Sequence, residues 1–196
     1  MKSEKGDLKM KNSNVNDLII LYSGGADSRL LLEFAKMGDY TPHCILIDYG
    51  QKHVDELAFA REQLQANNIS YQIIQVDGLN VNSGLTGDGV KNNTGVVHEM
   101  HVPGRNSIFL SLAFSIAENR GIDKIWIGCD FSDAVNLFPD CLQSYILKIN
   151  ELFKIAGPKE IQVEAPLLGL TKAEIIKMLI TFGVNESELF SGYGGL

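Results

Sequence analysis

The sequence predicts an α/β fold, an open doubly wound domain on a parallel five-stranded sheet, and three observations predict it. Short runs of near-continuous apolar residues alternate with stretches of helical period, as expected of strands buried on both faces. The chain opens strand-helix-strand-helix-strand. Its first strand, LIILY at 18–22, breaks into Ser23-Gly24-Gly25-Ala26-Asp27-Ser28 just before a helix, where sheets of this kind receive ligands.

The elements follow in order. Residues 1–17 read as a mobile polar leader and 18–196 as one domain. After the glycine turn, SRLLLEFAKMG places Leu30, Leu31, Phe34 and Ala35 on one helical face before Gly38 ends it. HCILIDY is the second strand, HVDELAFAREQLQANN the second helix and YQIIQVD the third strand. The stretch from Gly78 to Pro103 holds five glycines and no periodicity, which reads as a long loop, functional or disordered. Then come an apolar helix (GRNSIFLSLAFSIAENRG), a fourth strand (DKIWIGC), a loop (DFSDAVNLFPD), a helix (CLQSYILKINELFKIAG) and a fifth strand (IQVEA). The last helix opens at LTKAE with a capping box, Thr171 with Glu174 three residues on.

With 196 residues, 45% of them apolar, the chain suits a single core. A net charge of −7 opposes strong nucleic-acid binding, which runs on clustered Lys and Arg. No apolar run nears the ~20 residues of a membrane helix, and the start lacks the apolar segment of a secretory signal, so no membrane association and a cytoplasmic location are expected. Cys44, Cys129 and Cys141 show no C-x-x-C pair and no metal-ligand spacing, and read as reduced, Cys44 and Cys129 as small core residues.

The turn asks for an explanation. Glycine tolerates tight strand-to-helix corners, but a helix start at that place also aims free amides and a positive dipole end at an anion. Neither the Walker spacing nor Gly-x-Gly-x-x-Gly fits SGGADS. It does match the SGGxDS signature of the ATP pyrophosphatases, a resemblance that assigns Ser23, Gly24, Gly25, Asp27 and Ser28 to the pyrophosphate of ATP.

Further stretches narrow the resemblance. DYGQKH (Asp48 to His53), VPGRNSIFLSLAFSIAE (Val102 to Glu118), FPDC (Phe138 to Cys141) and APLLGLTKAEII (Ala165 to Ile176) make the sequence similar to the 7-cyano-7-deazaguanine synthase family, in that family's order, over residues 18–193. The resemblance implies a PP-loop fold, like the adenine nucleotide alpha hydrolases. It implies an ATP-dependent C–N ligase in queuosine biosynthesis: ATP adenylates the carboxylate of 7-carboxy-7-deazaguanine, ammonia gives the amide, and a second adenylation dehydrates it to the nitrile.

The same resemblance distributes roles. Asp48, Tyr49, Gln51 and His53 lie near the nucleotide, with Asp48 either a Mg2+ ligand or the cap of the next helix. Gly104 shapes the turn before Arg105 and Asn106, where the guanidinium clamps phosphate or carboxylate. Phe138, Pro139, Asp140 and Asp130, with Asp133 nearby, hold the deazaguanine base; an acidic solvated loop with Asp140 as a cap is the plainer reading. Lys172 reaches the ATP phosphates as a point charge, or is an exposed first-turn lysine. Asp27, Arg105 and Lys172 are the expected catalytic set, with no clear base.

The pattern also departs from the family. The stretch Ser191-Gly192-Tyr193 stands where the family runs into a cysteine cluster that holds a structural zinc, and the sequence ends at Leu196. No structural zinc is expected, and its loss would be covered by packing or by a homodimer partner. Three rivals stay open: an enzyme that stops at the amide or modifies a protein or nucleic acid, a tRNA thiolase relative, and a non-catalytic nucleotide-binding subunit.

Overall fold

A computed structural model gives the fold and describes residues 16–51, 54–79, 102–135 and 138–185. Five strands form one parallel sheet in the order β3-β2-β1-β4-β5: β1 Asp17–Leu21, β2 Thr41–Asp48, β3 Ser70–Gln75, β4 Lys124–Trp126 and β5 Gln162–Glu164. The chain therefore winds outward from β1 through β2 to β3, then returns to place β4 on the other side of β1. That reversal is the topological switch point, where a crevice opens at the carboxyl ends of the strands.

The period-two alternation of the central strands sorts their side chains between two cores. Ile19, Ile45, Ile47 and Ile125 face one, shared with α3 (Arg105–Arg120) and α5 (Gln143–Ala156). Leu18, Ile20, Cys44, Leu46 and Trp126 face the other, under α1 (Ala26–Met37), α2 (Val54–Ala66) and α6 (Lys172–Thr181). Register fixes this: Ile19 pairs with His43 on one side and Ile125 on the other. A fully buried Leu or Ile contributes about 1.5–3 kcal/mol, so slipping β1 by one residue would exchange the two cores at large cost.

Two details differ from the sequence reading. Asp17 belongs to β1 rather than to the leader, pairing with Thr41. The segment read as a loop after β4 contains a short helix, α4 (Phe131–Val135), followed by a 3-10 turn at Pro139–Cys141. Asp130 starts α4: its Oδ1 accepts from the amides of Ser132 at 2.7 Å and Asp133 at 3.2 Å, and its own amide donates to Asp133 Oδ2 at 3.0 Å. Five residues carry too little periodicity to announce a helix. The capping box of α6 is present as expected.

Candidate active site

The glycine turn follows β1 at the switch point. Gly24 adopts φ +86°, and a Cβ there would stand 2.9 Å from Ala60 Cβ, so both backbone angle and the packing of α2 demand glycine. Gly25 has neither constraint. Its φ is −75°, and an added Cβ would meet only Ser23 Oγ, at 3.5 Å. As the N-cap of α1 it brings no side-chain acceptor to the first-turn amides, which have no partner within a helix. Those bare amides are a cradle that fits phosphate oxygens.

Ser28, expected among the phosphate contacts, is buried and braces the turn: its Oγ accepts from the amides of Ser23 (3.3 Å) and Gly24 (3.2 Å) and donates to Gly25 O (3.1 Å). Ser23 is exposed, its hydroxyl 3.3 Å from that of Ser28.

Asp27, one residue into α1, meets the first residue of α6. Lys172 Nζ donates to both its carboxylate oxygens, at 2.5 and 2.7 Å, and lies 3.0 Å from Oδ2 of Asp130. Lys172 and Asp27 are 145 residues apart, and Asp130 is 1% exposed. Burial pushes Asp27 up to about 6 against the pull of Lys172, with Asp130 and Asp133 adding repulsion. Burial acts against the Lys172 ammonium too, but Asp27 and Asp130 outweigh it and hold its pKa above the usual lysine range. Burial also raises Asp133, while Lys172 and Arg105 both pull it down, which puts the two cations on one acidic cluster.

The helix start at α3 forms the other wall. Gly104, at φ +70°, caps it. Arg105 Nη1 donates to the Tyr49 hydroxyl at 3.3 Å, and the guanidinium carbon lies 5.9 Å from the Tyr49 ring centroid. Tyr49 is itself seated on Phe109, ring centroids 5.3 Å apart, so the turn after β2 positions the arginine. Asn106 is buried; its amide donates to Asp140 Oδ2 at 3.3 Å and its side chain to Asp140 O at 3.1 Å. Asp140 is thus a cap after all, though of α3 rather than of the helix that follows it.

The remaining expected residues occupy the same end of the sheet or hold it together. Asp48 Oδ1 accepts from the Gly50 amide at 3.3 Å, and Gln51 Oε1 from the Tyr49 amide at 3.0 Å, so both fix the turn that presents Tyr49. Phe138 packs on the core beside α3, its amide donating to Asp133 O at 3.1 Å, and Pro139 opens the 3-10 turn. His53 lies outside the described residues, as do 80–101 and Ser191 to Tyr193.

Two features escape the sequence. A Cβ on Gly128 would sit 3.1 Å from Asp27 Cβ and 3.4 Å from the Ser28 amide, so the chain leaving β4 makes room for the first turn of α1. Only the strand order would have revealed that. The second is a cluster: Cys129, Asp133 and Cys141 place their ligand atoms within 4.8 Å of one another. A hydrogen bond with Cys141, and then burial, holds the Cys129 thiol well above the ordinary range. Both cysteines are buried, Cys129 as expected of a core residue and Cys141 without such an expectation; their proximity across twelve positions was invisible in the spacing.

The family model described as "Queuosine biosynthesis protein QueC" matches residues 17–196. This chain belongs to the QueC family. A 7-cyano-7-deazaguanine synthase from Geobacter sulfurreducens is 34% identical over 186 residues, covering 89% of this chain and 78% of that protein. One from Myxococcus xanthus is 34% identical over 193 residues, covering 91% and 84%.

Solved structures carry the same fold at low identity. The NH3-dependent NAD synthetase from Campylobacter jejuni superposes with TM-score 0.56 at 17% identity, covering 96% of this chain and 73% of its own. The U34-tRNA thiolase NcsA from Methanococcus maripaludis gives 0.58 at 16%, over 93% of this chain; the QueC-family chain spans 61% of the thiolase's length. Both likenesses bear on fold alone, and the fold is the expected PP-loop type. Among the described residues no helix is long and apolar enough to cross a membrane.

Proposed function

We propose that this protein is a cytoplasmic 7-cyano-7-deazaguanine synthase, a C–N ligase that uses ATP and ammonia to turn 7-carboxy-7-deazaguanine, through an acyl adenylate and the amide, into the nitrile. One observation carries the reading: the uncapped start of α1 sits at the switch point beside a lysine poised between Asp27 and Asp130. A pyrophosphate leaving group needs such fixed donors where its charge develops.

In this scheme the α1 amides, Ser23 and Gly25 receive the β- and γ-phosphates. Lys172 exchanges a carboxylate for a phosphate oxygen. Arg105, held by Tyr49, faces the phosphate or carboxylate from the opposite wall. Asp48, at the end of β2, and Asp27, in the first turn of α1, are the carboxylates that would hold Mg2+, which neutralises phosphate charge when bound. The turn Phe138 to Asp140 and the start of α4 at Asp130 flank the place for the base. Ammonia needs no dedicated base, since an acyl adenylate is already activated. A homodimer is part of the proposal: α5 leaves Leu147, Leu152 and Ile155 exposed on one outer stretch.

The test is incubation of purified protein with MgATP, ammonium and 7-carboxy-7-deazaguanine, followed by mass spectrometry. The nitrile is expected, with the amide accumulating transiently. If neither nitrile nor amide forms, the reading fails; amide alone would place the chain with the enzymes that stop after the first adenylation.

A further inference from the structure

We propose that Cys129, Cys141 and Asp133 form a binding site for a thiophilic divalent cation, with Zn2+ the first choice. The site goes beyond the ligase reading and does not depend on it. Three segments deliver the ligands: the chain leaving β4, helix α4 and the 3-10 turn before α5. Two Sγ atoms and a carboxylate oxygen all lie within 4.8 Å of one another. Around a tetrahedral zinc, with Zn–S near 2.3 Å and Zn–O near 2.0–2.2 Å, such atoms stand about 3.6–3.8 Å apart. The group therefore needs little contraction to close on an ion.

The surroundings orient the ligands as an outer shell does. Asp133 Oδ2 accepts the Asp130 amide at 3.0 Å, which fixes the carboxylate. The buried Asn106 side chain donates to Cys141 Sγ at 3.5 Å and so fixes the position of that sulfur. Cys129 and Cys141 are 1% and 7% exposed, whereas Asp133 is half-buried. An ion would thus be held from inside by sulfur and approached past the carboxylate, with three protein ligands and one position left for water or a reactant. Soft sulfur disfavours Mg2+, so the cation accompanying ATP is not the expected occupant. On binding, each thiol gives up a proton and two Zn–S bonds form, with no change of oxidation state.

Chelator-treated protein should bind one Co2+ per chain with the thiolate-to-cobalt charge-transfer band and the intense visible bands of a tetrahedral centre, and Zn2+ should displace it. In competition with a chromogenic chelator, Cys129→Ser, Cys141→Ser and Asp133→Asn should each weaken Zn2+ binding by more than about tenfold. Cys44→Ser, in the opposite core, should leave it unchanged. Circular dichroism checks folding; Asp133→Asn keeps the test alive if a cysteine variant fails to fold, because it removes no core atom. No Co2+ binding, binding without the charge-transfer band, or a band that survives in both cysteine variants would overturn the proposal. So would recovery of Cys129 and Cys141 as a disulfide, two hydrogens lighter by mass.

Discussion

Replacing the two glycines of the turn one at a time separates stability from nucleotide binding. At Gly24 the backbone is left-handed, φ +86°, and a Cβ would stand 2.9 Å from Ala60 Cβ and 3.1 Å from Ala60 Cα. Left-handed backbone costs an ordinary residue about 1–2 kcal/mol, and overpacking about 1–3 kcal/mol more. No rotamer relieves the clash, because Ala60 Cα is the backbone of α2. Gly24→Ala should therefore lose about 2–5 kcal/mol, a fall in Tm of roughly 4–20 °C for a domain of this size. Gly25 is different, since its added Cβ would meet Ser23 Oγ at an ordinary 3.5 Å. Gly25→Ala should change stability by less than about 1 kcal/mol, as the small loss at an N-cap is offset by a less flexible unfolded chain. Its methyl, however, stands where phosphate oxygens must approach the α1 amides. Losing one hydrogen bond to a charged group, about 1.5–3 kcal/mol, weakens ATP binding roughly 10- to 100-fold. Thermal unfolding and calorimetric titration with MgATP read the two effects separately. A Gly25→Ala protein that binds ATP like the unaltered chain would refute the anion cradle; an unshifted Tm in Gly24→Ala would refute the packing argument.

Four further outcomes are expected. Asp27 titrates at about 6 in the folded chain against an ordinary 3.8, so its contribution to stability is full below the ordinary value and is lost as pH rises through about 6. Chemical denaturation from pH 4 to 7 should show that slope flattened in Asp27→Asn, and kcat/KM should fall on the acid side of about 6 as the carboxylate is protonated. Lys172→Gln leaves Asp27 and the 1%-exposed Asp130 facing each other; with the lysine side chain 50% exposed, the cost should be about 1–3 kcal/mol rather than that of a fully buried pair. Pyrophosphate release by that variant should drop about 100-fold or more, the scale of losing one transition-state donor. Tyr49→Phe keeps the ring under Arg105 but removes the 3.3 Å hydrogen bond, and steady-state kinetics should show a loss in kcat/KM of about 5- to 10-fold with the fold unchanged. Removing Mg2+ with a chelator should weaken ATP binding at least about tenfold in the same titration, because bare triphosphate would enter an already acidic pocket.

Much of the fold was readable because the strands are apolar, short and separated by strong helical periods. The turn was readable too, since its glycines sit where a first strand must meet a first helix. The ion cluster was legible only in part: Asp27 and Lys172 each lay in a matched stretch, but nothing in the sequence said that they touch. Asp130 shows why. Its placement depends on β4 lying beside β1 and on a five-residue helix whose start it caps. Asp140 was ambiguous for the opposite reason. A carboxylate before a helix predicts a cap, yet the helix it serves is α3, more than thirty positions earlier, which no local rule can choose.

The charge around Lys172 explains how a site built for an anion can persist before the anion arrives. Asp27, Asp130 and Asp133 set three carboxylates against one close ammonium, with Arg105 acting on the same cluster from the far wall. An unpaired lysine at the first turn of α6 would face the positive end of that helix's dipole, so the carboxylates stabilise it there. Phosphate must compete with Asp27 for it, and burial has already made that ionised carboxylate costly to keep, which narrows the difference. The same burial would strengthen any charge that develops on a leaving pyrophosphate, since water is scarce where Asp130 lies. Strand order is what brings these groups into one place: the turn from β1, the cap after β4 and the start of α6 meet only because the sheet reverses between its first and fourth strands.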